Sequence, residues 1–117
     1  MLKKILFFFY ENWKIYTAII LTIITFLSLY PLNQQPSFPG DDKLYHLLAY
    51  SFLTICLGIR KPPNYILILI FLSFYSGLIE IIQPYLNRFA EIEDFIFNNL
   101  GLIIGFVIGV FVKKTKL

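Results

Sequence analysis

A chain of 117 residues has room for one domain and no separate soluble catalytic module. Its residues are 58% hydrophobic and its mean hydropathy is +0.74, above the ~45–50% apolar content of a soluble domain, so it reads as a membrane protein. The net charge of +3 does not gather on a face that could follow phosphates, which removes nucleic acid from the expected partners. The single cysteine, Cys56, excludes an intrachain disulfide and a Cys-based zinc cluster; inside an apolar run it reads as a small buried hydrophobe.

A hydrocarbon core of ~30 Å takes about 20 mostly apolar residues per helix. Four segments meet that need. The first covers 13–30 and stops at Pro31. The second covers 44–59, is short, and stops before Arg60-Lys61-Pro62-Pro63. The third covers 65–83 and stops at Pro84. The fourth covers 94–112 and runs into Lys113-Lys114. Proline ends suit helices, because the residue before a proline leaves the α region. The first segment lacks the small-residue cleavage site of a secretory leader and is read as a retained helix. The fold class expected is therefore all-α and polytopic, with four transmembrane helices. Its parts are a cytoplasmic segment 1–12, a transmembrane domain 13–112 and a basic tail 113–117.

Orientation follows from charge. Lys3, Lys4, Lys14, Arg60, Lys61, Lys113, Lys114 and Lys116 flank one side, and only Lys43 and Arg88 flank the other. By the positive-inside rule both termini and the 60–64 connection are cytoplasmic. Asp41, Asp42, Glu80, Glu91, Glu93 and Asp94 gather at the opposite side. Trp13, Tyr16 and Tyr65 on one side, and Tyr30, Tyr45 and Tyr85 on the other, suit interfacial belts.

Three short polar motifs stand out: Asp42-Lys43-x-x-His46, Glu80-x-x-Gln83 and Asp94-x-x-x-Asn98-x-x-Gly101. Ionisable residues in a bilayer are costly and mark a functional site by default. At helical period, Lys43, His46, Tyr50 and Thr54 share an arc of the second helix. Ser73, Ser76, Gly77, Glu80 and Gln83 share one of the third, and Asp94, Asn98, Gly101, Gly105 and Gly109 one of the fourth. Such stripes face a bundle interior or a wet cavity, because lipid cannot satisfy them. At 1.5 Å rise per residue, His46, Glu80 and Asn98 lie within ~6 Å of the outer ends of their helices, in one layer. The short 60–64 and 84–93 connections make the second and third, and the third and fourth, helices antiparallel neighbours. In the first helix Thr17, Thr22, Thr25 and Ser28 do not align and are expected to bond back to their own helix, which makes it scaffold.

Each polar residue has a bland role beside a chemical one. His46, the only histidine, is either a structural hydrogen-bonding group or a proton carrier. Glu80 either sits in a buried ion pair with Lys43, Arg88 or His46, or acts as general acid or base. His46 and Glu80 are the catalytic candidates. Arg88 can hold a carboxylate or phosphate bidentately, or pair with Asp94 or Glu91. Asp94 can also cap the fourth helix. Gln83 and Asn98 suit cross-helix bonds or a polar headgroup, and Tyr50 is core or site. The ligand-binding set is Asp42, Lys43, His46, Tyr50, Glu80, Gln83, Arg88, Asp94 and Asn98. One histidine and no cysteine pair argue against a metal at His46, Glu80 and Asp94, and no cofactor is expected. No nucleophile elbow, His-Glu-x-x-His or P-loop occurs. The glycines Gly101, Gly105 and Gly109 let helix backbones approach closely, and could equally support a dimer.

In order and spacing, Asp42-Lys43-x-x-His46-x-x-x-Tyr50, Glu80-x-x-Gln83, Arg88, Asp94, Asn98 and Gly101 resemble the VanZ family. These are small bacterial membrane proteins named after a teicoplanin-resistance factor. The resemblance covers 42–112. It implies a multi-pass protein of the bacterial inner membrane, and some members are associated with reduced glycopeptide susceptibility. The chain departs from the pattern in its minimal length and its acidic Glu91-Ile92-Glu93 stretch. Three functions follow. The first is a binder of a lipid or cell-wall precursor headgroup. The second is an intramembrane acid–base enzyme on a lipid-linked substrate. The third is a structural partner subunit.

Overall fold

The computed structural model describes residues 1–30, 41–86 and 92–116, with the side chains of 41, 42, 86 and 116 outside that description. The described residues are all-helical: α1 (Leu2–Glu11), α2 (Trp13–Leu29), α3 (Asp41–Arg60), α4 (Tyr65–Ile82) with a 3₁₀ turn (Gln83–Leu86), and α5 (Ile92–Lys116). The four expected segments correspond to α2, α3, α4 and α5 within a few residues.

The helix ends have local causes. Tyr30 takes an extended conformation (φ −70°, ψ 124°) before Pro31, which closes α2. The α3 helix ends through Lys61, whose φ of 45° lies in the left-handed region and whose N–H donates to Leu57 O at 2.7 Å. Pro62 and Pro63 cannot continue the helix. The α4 ladder tightens into the 3₁₀ turn at Gln83, beside Pro84.

Two helices, Tyr65–Tyr85 and Ile92–Thr115, are long and apolar enough to cross a membrane. A third span results if α1 and α2, bent by 77° at Asn12, count as one. The α3 helix has the length, 20 residues or ~30 Å, but opens on Asp41-Asp42-Lys43. Its second half is also the most enclosed part of the chain: Leu53, Thr54, Cys56, Leu57 and Ile59 are all buried. The polar residues that keep its hydropathy low, Asp41, Asp42, Lys43 and His46, lie in its first half.

The segment before Trp13 is a helix in its own right, set across the axis of α2. Packing order also differs from the expectation drawn from loop length. The α3 helix makes its long seam with α5, and α4 packs chiefly on α5. Glycines explain the choice. A Cβ at Gly101 would come within 2.5 Å of Leu47 O, and one at Gly109 would overlap Ile55 O. One at Gly105 would overlap both Ser51 O and the Thr54 hydroxyl. The glycine face of α5 therefore lies against α3 of the same chain. A small core of Ile24, Tyr50, Leu53, Leu72 and Leu102 joins α2, α3, α4 and α5.

Candidate functional site

Polar side chains converge where the N-terminal ends of α3 and α5 meet the C-terminal end of α4. Asn98 of α5, fully buried, is the hub. Its Nδ2 donates to Glu80 Oε1 at 3.1 Å, and its Oδ1 lies 2.7 Å from His46 Nδ1. His46 Nδ1 is also 3.7 Å from the same Glu80 oxygen, a distance at which charge acts but no hydrogen bond forms. The donor logic fixes the imidazole. A carboxylate can only accept, so the amide must turn its NH₂ to Glu80 and leave its carbonyl for His46. Nδ1 then carries the hydrogen, and Nε2 is the nitrogen left for another partner. Nε2 bonds no described group.

The remaining candidates surround this chain of bonds. Glu80 is buried (9% exposed) on the inner face of α4. Asp94 is buried in the first turn of α5, where a carboxylate meets the positive end of the helix dipole. Gln83 is fully buried, and its Nε2 donates to Ser28 O of α2 at 3.0 Å. Lys43 Nζ pairs with Glu93 Oε2 at 2.9 Å at the rim, with Glu93 well exposed. Tyr50 is buried one turn below His46, and neither its hydroxyl nor Gln83 Oε1 has a partner among the described residues. Asp42 lies in α3, with its side chain outside the described residues, as Arg88 is entirely.

A cleft of about 160 Å³ opens between α2 and α3, lined by Ile24, Leu27 and Ser28 on one side and Tyr45, His46, Ala49 and Tyr50 on the other. That is comparable to a cavity that takes a benzene-sized guest, ~150 Å³, and it reaches the rim of the polar layer. The two site residues that line it, His46 and Tyr50, each keep a polar atom without a described partner.

Sequence reasoning underrated α2. Thr22 and Thr25 do bond back to Ala18 O and Leu21 O. The same helix also supplies one wall of the cleft, receives the Gln83 bond at Ser28, and ties Thr25 to the Tyr75 hydroxyl at 2.7 Å. Backbone carbonyls and apolar walls leave no mark in a residue pattern. Asn99 was also missed; it takes the Ser73 hydroxyl hydrogen bond at 2.5 Å and links α4 to α5 below the site. Its signal was the tandem amide Asn98-Asn99, two adjacent residues pointing to different neighbours.

Among the described residues no group of three or more His, Cys, Asp or Glu is placed to hold a metal ion. In comparisons with known proteins, no family model, no curated protein and no solved structure matches the chain.

Proposed function

We propose that the chain is a VanZ-like, four-span protein of the bacterial inner membrane with cytoplasmic termini, and that its outward-facing polar layer binds the headgroup of a lipid or cell-wall precursor. One observation carries the reading. His46 Nε2 and the Tyr50 hydroxyl belong to residues lining one cleft, and neither has a partner among the described residues. Of the two, the Tyr50 hydroxyl is buried, and a buried polar atom left unpaired costs about 1–3 kcal/mol, so a ligand supplying that bond recovers the cost. The apolar wall of Ile24, Leu27 and Ala49 suits the part of a lipid just below its headgroup. Glu80 and Asn98 hold the imidazole in place, and Lys43 and Arg88 belong to the set that would attract an anionic group.

Native mass spectrometry of the full chain with a polyprenyl pyrophosphate and with phosphatidylglycerol tests the reading. His46→Ala and Tyr50→Phe should each weaken retention of one of these probes about tenfold, and change the glycopeptide sensitivity of cells that depend on the protein. Unchanged retention in folded variants rejects it. The closed Lys43–Glu93 and Gln83–Ser28 contacts favour a second reading, in which the cluster only staples helices. In that case Glu80→Gln lowers stability and moves no binding readout.

A further inference from the structure

The α1 helix lies at 77° to α2, so if α2 follows the membrane normal, α1 runs nearly in the membrane plane. Its C-terminal end is held against the ends of α3 and α5. The Tyr10 ring takes the Arg60 guanidinium at 4.5 Å and the Lys113 ammonium at 4.9 Å, and Arg60 Nη1 reaches Tyr10 O at 3.4 Å. Arg60 also pairs with Glu11 at 3.9 Å. This docking uses the Leu6–Tyr10 side of the helix, whose residues are half-buried.

The exposed surface of α1 then divides in two. Spacing of three places Leu2, Ile5 and Phe8 in one stripe, and they are 52%, 48% and 60% exposed. Phe9 adjoins that stripe and packs edge-on against Tyr16, one turn into α2. The stripe therefore looks the way α2 runs, into the bilayer. Lys3 projects from the side opposite that stripe, beside the exposed ring of Phe7, and Lys4 and Glu11 project from the flank between Phe7 and Phe8. The same end of the molecule carries Lys14, Arg60, Lys61, Lys113 and Lys114, against Glu11 as the one described acid.

We infer that α1 is an interfacial anchor: it lies in the headgroup layer, sinks Leu2, Ile5 and Phe8 toward the acyl chains, and with the surrounding basic residues gathers anionic phospholipid headgroups. An amphipathic helix of this kind buries its apolar face ~5–10 Å into the headgroup–acyl boundary, and each basic residue near an anionic surface strengthens binding about fivefold. This role is separate from the polar layer, which sits at the other ends of α3 and α5.

Trp13, at the bend and the only tryptophan, is a built-in reporter. With the unaltered chain in nanodiscs of mixed lipid, brominated phosphatidylglycerol should quench Trp13 several-fold more effectively than brominated phosphatidylcholine at equal content. Lys3→Glu with Lys4→Glu should cut that preference at least fivefold. Equal quenching by the two lipids in the unaltered chain overturns the anionic preference. Nitroxide labels placed singly at 2, 5, 8, 4 and 11, in a Cys56→Ala background, test the placement. Labels at 2, 5 and 8 should sit at the acyl boundary, and those at 4 and 11 in water. A steady change in depth from 11 to 2 makes α1 part of a broken span and overturns the proposal, as does a fully aqueous helix.

Discussion

The seam between α3 and α5 and the attachment of α2 solve the same problem by opposite means. Along the seam, Gly101, Gly105 and Gly109, with Gly58 facing Gly109, bring backbone against backbone, and the Thr54 hydroxyl bonds Leu102 O at 2.8 Å across it. The α2 helix is held by Ile24 in the shared core and by a few polar side chains: Tyr16 to Phe52 O at 2.6 Å, Thr25 to Tyr75, and Gln83 to Ser28 O. Where lipid offers no hydrophobic gain for helix association, close packing gives a rigid joint, and scattered polar contacts give one that can part. The cleft lined by His46 and Tyr50 lies along the second kind of joint, between α2 and α3. The close-packed joint stands behind the site and the sparser one at its entrance.

The largest effect should come from Gly105→Leu. Its side chain would have to enter space held by Ser51 O and Thr54, both fixed, so the seam must open. The expected cost is above ~3 kcal/mol, read as loss of monodisperse protein in detergent; a normally folded variant would mean the seam is not the rigid element. Next is Glu80→Leu, which leaves the buried Asn98 amide without an acceptor, at about 1–3 kcal/mol; Glu80→Gln should recover much of it in the same thermal unfolding series. Lys61→Gly should move stability the other way, by roughly 1 kcal/mol, because glycine takes the left-handed position at the end of α3 without the Cβ penalty. The smallest is Tyr16→Phe, which removes one bond from the looser joint, at about 0.6 kcal/mol. It should also raise nitroxide mobility across the α2–α3 cleft. If Tyr16→Phe proves as damaging as Gly105→Leu, the contrast between the two joints is wrong.

The polar layer was legible because its members obey helical period. His46, Tyr50 and Thr54, then Ser76, Glu80 and Gln83, then Asp94 and Asn98, each share a buried or half-buried face. Lipid permits no other placement, so pattern translates directly into position. The spacing of Gly101, Gly105 and Gly109 likewise announced a close approach. Two features were not legible. Helix order depended on which face of α5 could come nearest, a matter of backbone clearance that a short loop between α3 and α4 does not decide. The independence of α1 rests on Asn12, whose backbone (φ −107°, ψ 28°) breaks the helix while its side chain bonds Phe8 O at 2.8 Å. One asparagine between two apolar runs reads equally well as an exposed polar residue in a continuous helix.

The Asn98 amide has a consequence for any chemistry at the site. An imidazole touching a carboxylate can hand over a proton along their shared hydrogen bond. Here the bridge between His46 and Glu80 is a carboxamide, which accepts on one side and donates on the other but neither gains nor loses a proton at ordinary pH. The amide holds the two groups in register, and no hydrogen bond joins them directly. Asn98 thus serves as a spacer, fixing how imidazole and carboxylate face each other while keeping them out of direct contact.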